Sequence, residues 1–198
     1  MVEGNYLILL PPHYFPVMRF DMSAGHLEKK QTPCRTTTDR QKRSMTAGST
    51  FPFNQQPSIS ADGAKVLFKC GTDSYDNSSI CEVKSNGTGF RVSVATAQAD
   101  GSTFLNQPDY GPAGSIVFEE AENYEQIWRL PSGGTLPVKI TEQFHNDNSP
   151  CVLPNGRIAS LLTRTNPYEL KIMAADGSSY FILMPGEEVT DIGLGYGP

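Results

Sequence analysis

Residues 57–87, PSISADGAKVLFKCGTDSYDNSSICEVKSNG, carry a grammar that returns twice more along the chain. A Pro opens each copy, a turn ending in Gly follows, and then comes a short apolar strand. A polar loop leads to a second apolar strand, closed by another Gly. In the first copy the landmarks are Pro57, Gly63, Val66-Leu67-Phe68, Ile80 to Val83 and Gly87. In the second they are Pro108, Gly114, Ile116-Val117-Phe118, Ile127 to Leu130 and Gly134. In the third they are Pro150, Gly156, Ile158 to Leu161, Leu170 to Met173 and Gly177. The first interval is six residues in every copy (57→63, 108→114, 150→156) and the second is seven (80→87, 127→134, 170→177). The repeat distance of 51 and then 42 residues (57→108→150) lies near that of propeller blades.

Each copy reads as a four-stranded antiparallel meander. The first strand runs through the Pro. A tight turn at Asp62-Gly63, Gly114 or Asn155-Gly156 leads into the second. The second and third strands are rich in β-branched and aromatic residues, as strands buried on both faces should be. The fourth strands fall at Phe90 to Val94, Leu136 to Ile140 and Tyr180 to Leu183. No helical period is sustained over a dozen residues. The expectation is an all-β chain of propeller blades divided at about 51–98, 99–143 and 144–188, with 189–198 starting a further strand.

Residues 1–50 are of another kind. Tyr6 to Leu10 and Phe15 to Met22 read as strands, with a turn at Ser23-Ala24-Gly25, so 1–32 is a candidate degenerate fourth blade. Residues 33–50 cluster cations without large apolar side chains and read as a basic polar linker. The first fifty residues hold seven Lys or Arg against four acids, and the rest hold nine against seventeen. An acidic repeat region argues against nucleic acid as a partner. No apolar stretch reaches the roughly 18 residues of a membrane span, and no export signal is visible.

Three blades are too few for a closed propeller, which uses about 4–8. A longer parent chain, a small ring completed by the N-terminal strands, or a homodimer closing a six-bladed ring would each resolve this. The first and the last are favoured, because an open arc exposes strand edges.

Candidates for chemistry are few. The histidines His13, His26 and His145 lack a nucleophile elbow, and no zinc, phosphate-loop or EF-hand spacing occurs. Catalytic residues, metal and cofactor are therefore all expected to be none. The Asx groups of 73–77 and 146–148 are accounted for by turns without an ion. The loops between second and third strands share a composition: Asp73, Tyr75 and Asp76 in the first, Asn123 and Tyr124 in the second, Tyr168 in the third. In a propeller these loops gather on one face, which would be aromatic and acidic and suited to a basic peptide or a sugar. Cys70 ends one strand and Cys81 begins the next, within reach of a disulfide between antiparallel neighbours, though two buried thiols are the other reading.

The repeat resembles the TolB-type, WD40-like propeller repeat of bacteria. Its Ser-Pro-Asp-Gly-like turn is matched by Ser60-Ala61-Asp62-Gly63, Gly111-Pro112-Ala113-Gly114 and Leu153-Pro154-Asn155-Gly156. Its second motif is matched by Ile80 to Gly87, Ile127 to Gly134 and Leu170 to Gly177, so the resemblance covers about 51–198. It implies a non-enzymatic module for protein or peptide partners in the periplasm or outside the cell, which would agree with a Cys70–Cys81 bridge. The competing expectations are a substrate-gating or scaffold segment of a larger secreted enzyme, and a carbohydrate-binding propeller.

Overall fold

A computed structural model describes residues 50–72, 77–99, 101, 104–122, 124–142 and 146–183, and the backbone of four strands at 6–10, 18–21, 26–28 and 193–196. The strands are β1 (Tyr6–Leu10), β2 (Met18–Asp21), β3 (His26–Glu28), β4 (Phe53–Ile59), β5 (Lys65–Gly71), β6 (Ser78–Lys84), β7 (Arg91–Val94) and β8 (Leu105–Tyr110). They continue with β9 (Ile116–Glu120), β10 (Gln126–Leu130), β11 (Val138–Lys139), β12 (Asp147–Val152), β13 (Ile158–Leu162), β14 (Glu169–Met173), β15 (Tyr180–Ile182) and β16 (Gly193–Tyr196). The only helical element among the described residues is a 3₁₀ turn, Pro112–Gly114.

Three antiparallel meanders follow the repeat: β4-β5-β6-β7, β8-β9-β10-β11 and β12-β13-β14-β15. A fourth sheet has the order β16-β1-β2-β3, with Leu7 opposite Tyr196 and Leu10 opposite Gly193. The strand that follows the third copy thus pairs with the strand that begins the chain. Each chain therefore presents four sheets, not three, which changes the arithmetic of a six-bladed dimer. No closed ring is formed among the described residues.

The fourth strands are shorter than their apolar runs suggest. β11 keeps two residues, because Pro137 has no N–H to give to a ladder. Short edge strands also blunt pairing with other chains.

The first strands share a feature that the repeat only hints at. Each is bulged at its Pro, with register shifts at Gln55/Ser58, Asn106/Asp109 and Asn148/Cys151. The residue before each Pro takes a left-handed φ: Gln56 (52°), Gln107 (45°) and Ser149 (52°). The Pro nitrogen cannot bond to the neighbouring strand, so the chain buckles there and aims the preceding N–H out of the ladder.

The turns at the opposite ends of the strands are closed locally. The Asx side chains of Asp62, Asn86, Asn155 and Asp176 each accept the N–H two residues on, at 2.9, 3.0, 3.0 and 3.0 Å. Gly177 lies against the Ile140 carbonyl at φ 76°, where any Cβ would collide with it.

Sheets pack face to face through two seams. The first, between sheets one and two, buries Leu67, Ile80, Val94 and Ala99 against Leu105, Ile116, Phe118, Trp128 and Leu130. The second, between sheets two and three, buries Val117 and Ile127 against Ile158 and Met173.

Candidate binding face

At one end of the sheets, hydrogen bonds tie the start of the third strand of sheets one and two to the start of the next sheet. Ser78 Oγ donates to Leu105 O (2.8 Å) and accepts from Leu105 N–H (2.8 Å), joining the start of β6 to the start of β8. At the corresponding place in the next pair of sheets, Asp147 N–H donates to Glu125 O (2.8 Å). The Glu125 carboxylate then accepts from Thr163 Oγ1 (2.7 Å) and Asn148 Nδ2 (3.0 Å). Glu125 therefore anchors the loop of sheet two to the loop of sheet three. Tyr124, next to Glu125 in the chain, and Tyr168, just before β14, are each 41% exposed.

Beneath this face lies a layer of buried charge. Lys171 Nζ and Asp147 Oδ2 form an ion pair at 3.0 Å, both fully enclosed, and Ser160 Oγ donates to the other Asp147 oxygen (3.1 Å). Glu119, 4% exposed, accepts the Ser149 N–H on Oε2 (3.0 Å). That amide is the one released by the bulge of β12. Burial lifts the Glu119 carboxyl to about 7, helped by the charge of Glu125 and opposed by hydrogen bonds from Ser149 and Asn106. Asp109 joins all three first strands: it accepts from Ser58 Oγ (2.6 Å), Tyr110 N–H (2.9 Å) and Val152 N–H (2.7 Å). Burial holds its carboxyl above the usual range. Gln56 Oε1 accepts the bulge amide of Gln107 (2.9 Å). Each of these two bulge amides is thus capped by a side chain of the preceding sheet.

Of the residues expected to form the face, Tyr124 and Tyr168 are exposed, in the loops before β10 and β14. Asp73, Tyr75, Asp76, Asn123 and His145 lie outside the described residues. Cys70 and Cys81 are disulfide-bonded, with Cα atoms 5.9 Å apart. They are diagonal neighbours, Cys70 facing Ser79 and Cys81 facing Phe68. Strand twist shortens one diagonal enough for the bridge. Among the described residues no cluster of three or more His, Cys, Asp or Glu could hold a metal ion. Sequence reasoning missed the roles of Glu119, Glu125 and Asp109, and read Asp147 as a turn group where the structure buries it at the start of β12 against Lys171. One visible signal was the adjacent acids Glu119 and Glu120 ending an otherwise apolar strand.

The architecture defines the class: an all-β protein of four-stranded propeller sheets that shares its fold with TolB proteins. TolB from Acinetobacter baumannii superposes with a TM-score of 0.56 at 18% identity, over 86% of this chain and 38% of that one. Kuenenia stuttgartiensis hydrazine synthase gives 0.56 at 14%, over 94% and 33%. A chain of the nidogen/laminin complex gives 0.54 at 12%, over 91% and 62%. The chain spans 38% and 33% of the first two proteins, and at these identities the likeness is one of fold. No family model and no curated protein sequence matches it.

Proposed function

We propose that this chain is a non-enzymatic propeller module that binds a protein or peptide through the face bearing Tyr124 and Tyr168. The observation that carries the reading is the pair of exposed tyrosines in the corresponding loops of two adjacent sheets, loops that Glu125 ties together through Thr163 and Asn148. Rigid, amphipathic tyrosines give contact area at low entropic cost, and neighbouring carboxylates favour a basic partner. By loop position Asp73, Tyr75, Asp76 and Asn123 belong to the same face. The chain carries no chemistry or cofactor of its own in this reading, and its acidic repeat region disfavours nucleic acid. Residues 51–198 form the propeller region, 1–32 lend strands to the fourth sheet, and 33–50 link the two. The Cys70–Cys81 bridge supports an oxidising site of action, periplasmic or extracellular. No helix among the described residues is long and apolar enough to cross a membrane.

Likeness to part of hydrazine synthase favours a second reading, a scaffold or gating segment of a larger enzyme. Ring completion by a second copy would bring together eight sheets, the upper end of the ~4–8 range.

Fluorescence anisotropy with a labelled Lys/Arg-rich peptide, an acidic peptide and a neutral oligosaccharide tests the proposal. Selective binding of the basic peptide is expected, weakened roughly 30-fold or more in Tyr124→Ala/Tyr168→Ala, as for two central anchors. Tyrosine-dependent binding of the oligosaccharide alone would move the chain to the carbohydrate class. Peptide binding indifferent to the double variant would remove this face as the site.

A further inference from the structure

We propose that the seam between the second and third sheets is a proton-operated joint, shut while Glu119 keeps its proton and loosened when Glu119 ionises. The inference starts from where Glu119 sits. It belongs to β9 of sheet two, is enclosed, and caps the one amide that the bulge of β12 expels from its own sheet. The protonated acid still offers Ser149 an acceptor oxygen and gains an O–H donor. The anion places in the seam a charge that its neighbours offset only in part, where desolvation is costly.

The surrounding groups set the direction. On β8, Asn106 hydrogen-bonds to Glu119, and Asp109 stands near the far end of that strand. Leading into β10, Glu125 repels the anion. On β12, the other charge is Asp147, already neutralised by Lys171 of β14. From β5 of the first sheet, Lys69 attracts the anion in part. The balance leaves the carboxyl at about 7, above the ordinary 4.5. In an opened seam Glu119 would be solvated and would titrate in the ordinary range. The closed seam therefore holds a proton that the open one has released between those two values. Closure weakens as pH rises through that window and is level above it. Asp109 touches all three first strands, so its own titration would act on both seams alike. The joint is distinct from any ligand site and does not rest on the binding proposal. It does bear on it, because Glu125 and both tyrosines ride on this seam.

Amide hydrogen exchange, followed by NMR on the whole chain at pH 5, 6, 7 and 8 and expressed as protection factors, tests the joint. Protection of the Ser149 and Asp147 amides should fall roughly tenfold or more from pH 5 to 8. The Leu105 amide, held by Ser78 across the first seam, is the internal reference and should change far less. In Glu119→Gln the Ser149 and Asp147 profiles should be flat. An equal decline at Leu105, or a decline that survives in Glu119→Gln, would overturn the proposal. Should that variant misfold, carbon-13 titration of the wild-type glutamate carboxyls decides. A glutamate midpoint near 7 that coincides with the pH above which protection levels off supports the joint, and ordinary midpoints throughout sink it.

Discussion

Sheets one and two meet through nine buried apolar residues, sheets two and three through four, with an enclosed ion pair and a buried glutamate completing the second seam. The first is held mainly by removal of apolar surface from water, with Tyr110 donating its O–H across it to the buried Glu82 (3.3 Å). The second replaces part of that surface with charges that must be matched in place. A buried pair contributes little net stability beyond what apolar side chains would give, but losing one partner is costly. The second seam holds Glu119, whose carboxyl burial lifts to about 7, so it is the seam expected to respond near neutral pH.

Three substitutions would break or sharpen this contrast. Phe118 is fully buried in the first seam, so Phe118→Ala should cost about 3–5 kcal/mol in urea denaturation, equally at pH 6 and pH 8. A loss below about 1 kcal/mol would mean that apolar packing does not hold that seam. Next, Asp147→Asn strands Lys171 in the interior and should cost roughly 3 kcal/mol by the same measurement. The paired change Asp147→Leu/Lys171→Met should recover most of it, and failure to recover would make the charges essential to the seam's geometry. The smallest effect belongs to the turns. Asn155→Ala removes one exposed local hydrogen bond and should lower stability by only about 0.5–1 kcal/mol, leaving both seams' exchange behaviour unchanged.

Legibility follows the range of the forces. Asp62, Asn86, Asn155 and Asp176 fold their turns by bonding to amides two residues away, so the fixed spacings of the repeat were enough to place them. The alternation of apolar residues likewise sufficed for the meanders, and the two cysteines lay within one hairpin. The bulges were only half visible. A Pro in a strand announces that a ladder bond is missing, but not where the neighbouring amide goes. The caps come from far along the chain: Gln56 for Gln107, Glu119 for Ser149. Glu119 and Glu120 are both buried, and nothing in the pair alone told which would cap an amide of the neighbouring sheet.

The fourth sheet shows the same division at its widest. Tyr6 to Leu10 was readable as a strand, and 189–198 as the start of one. That they pair with each other joins opposite ends of the chain, and no local pattern encodes it. By itself the sequence determined the elements, their turns and the all-β class, because those rest on periodicity and on hydrogen bonds a few residues long. Tertiary structure alone decided which sheets adjoin and which acid caps a distant amide, because those depend on solvent exclusion between surfaces that only the folded chain brings together.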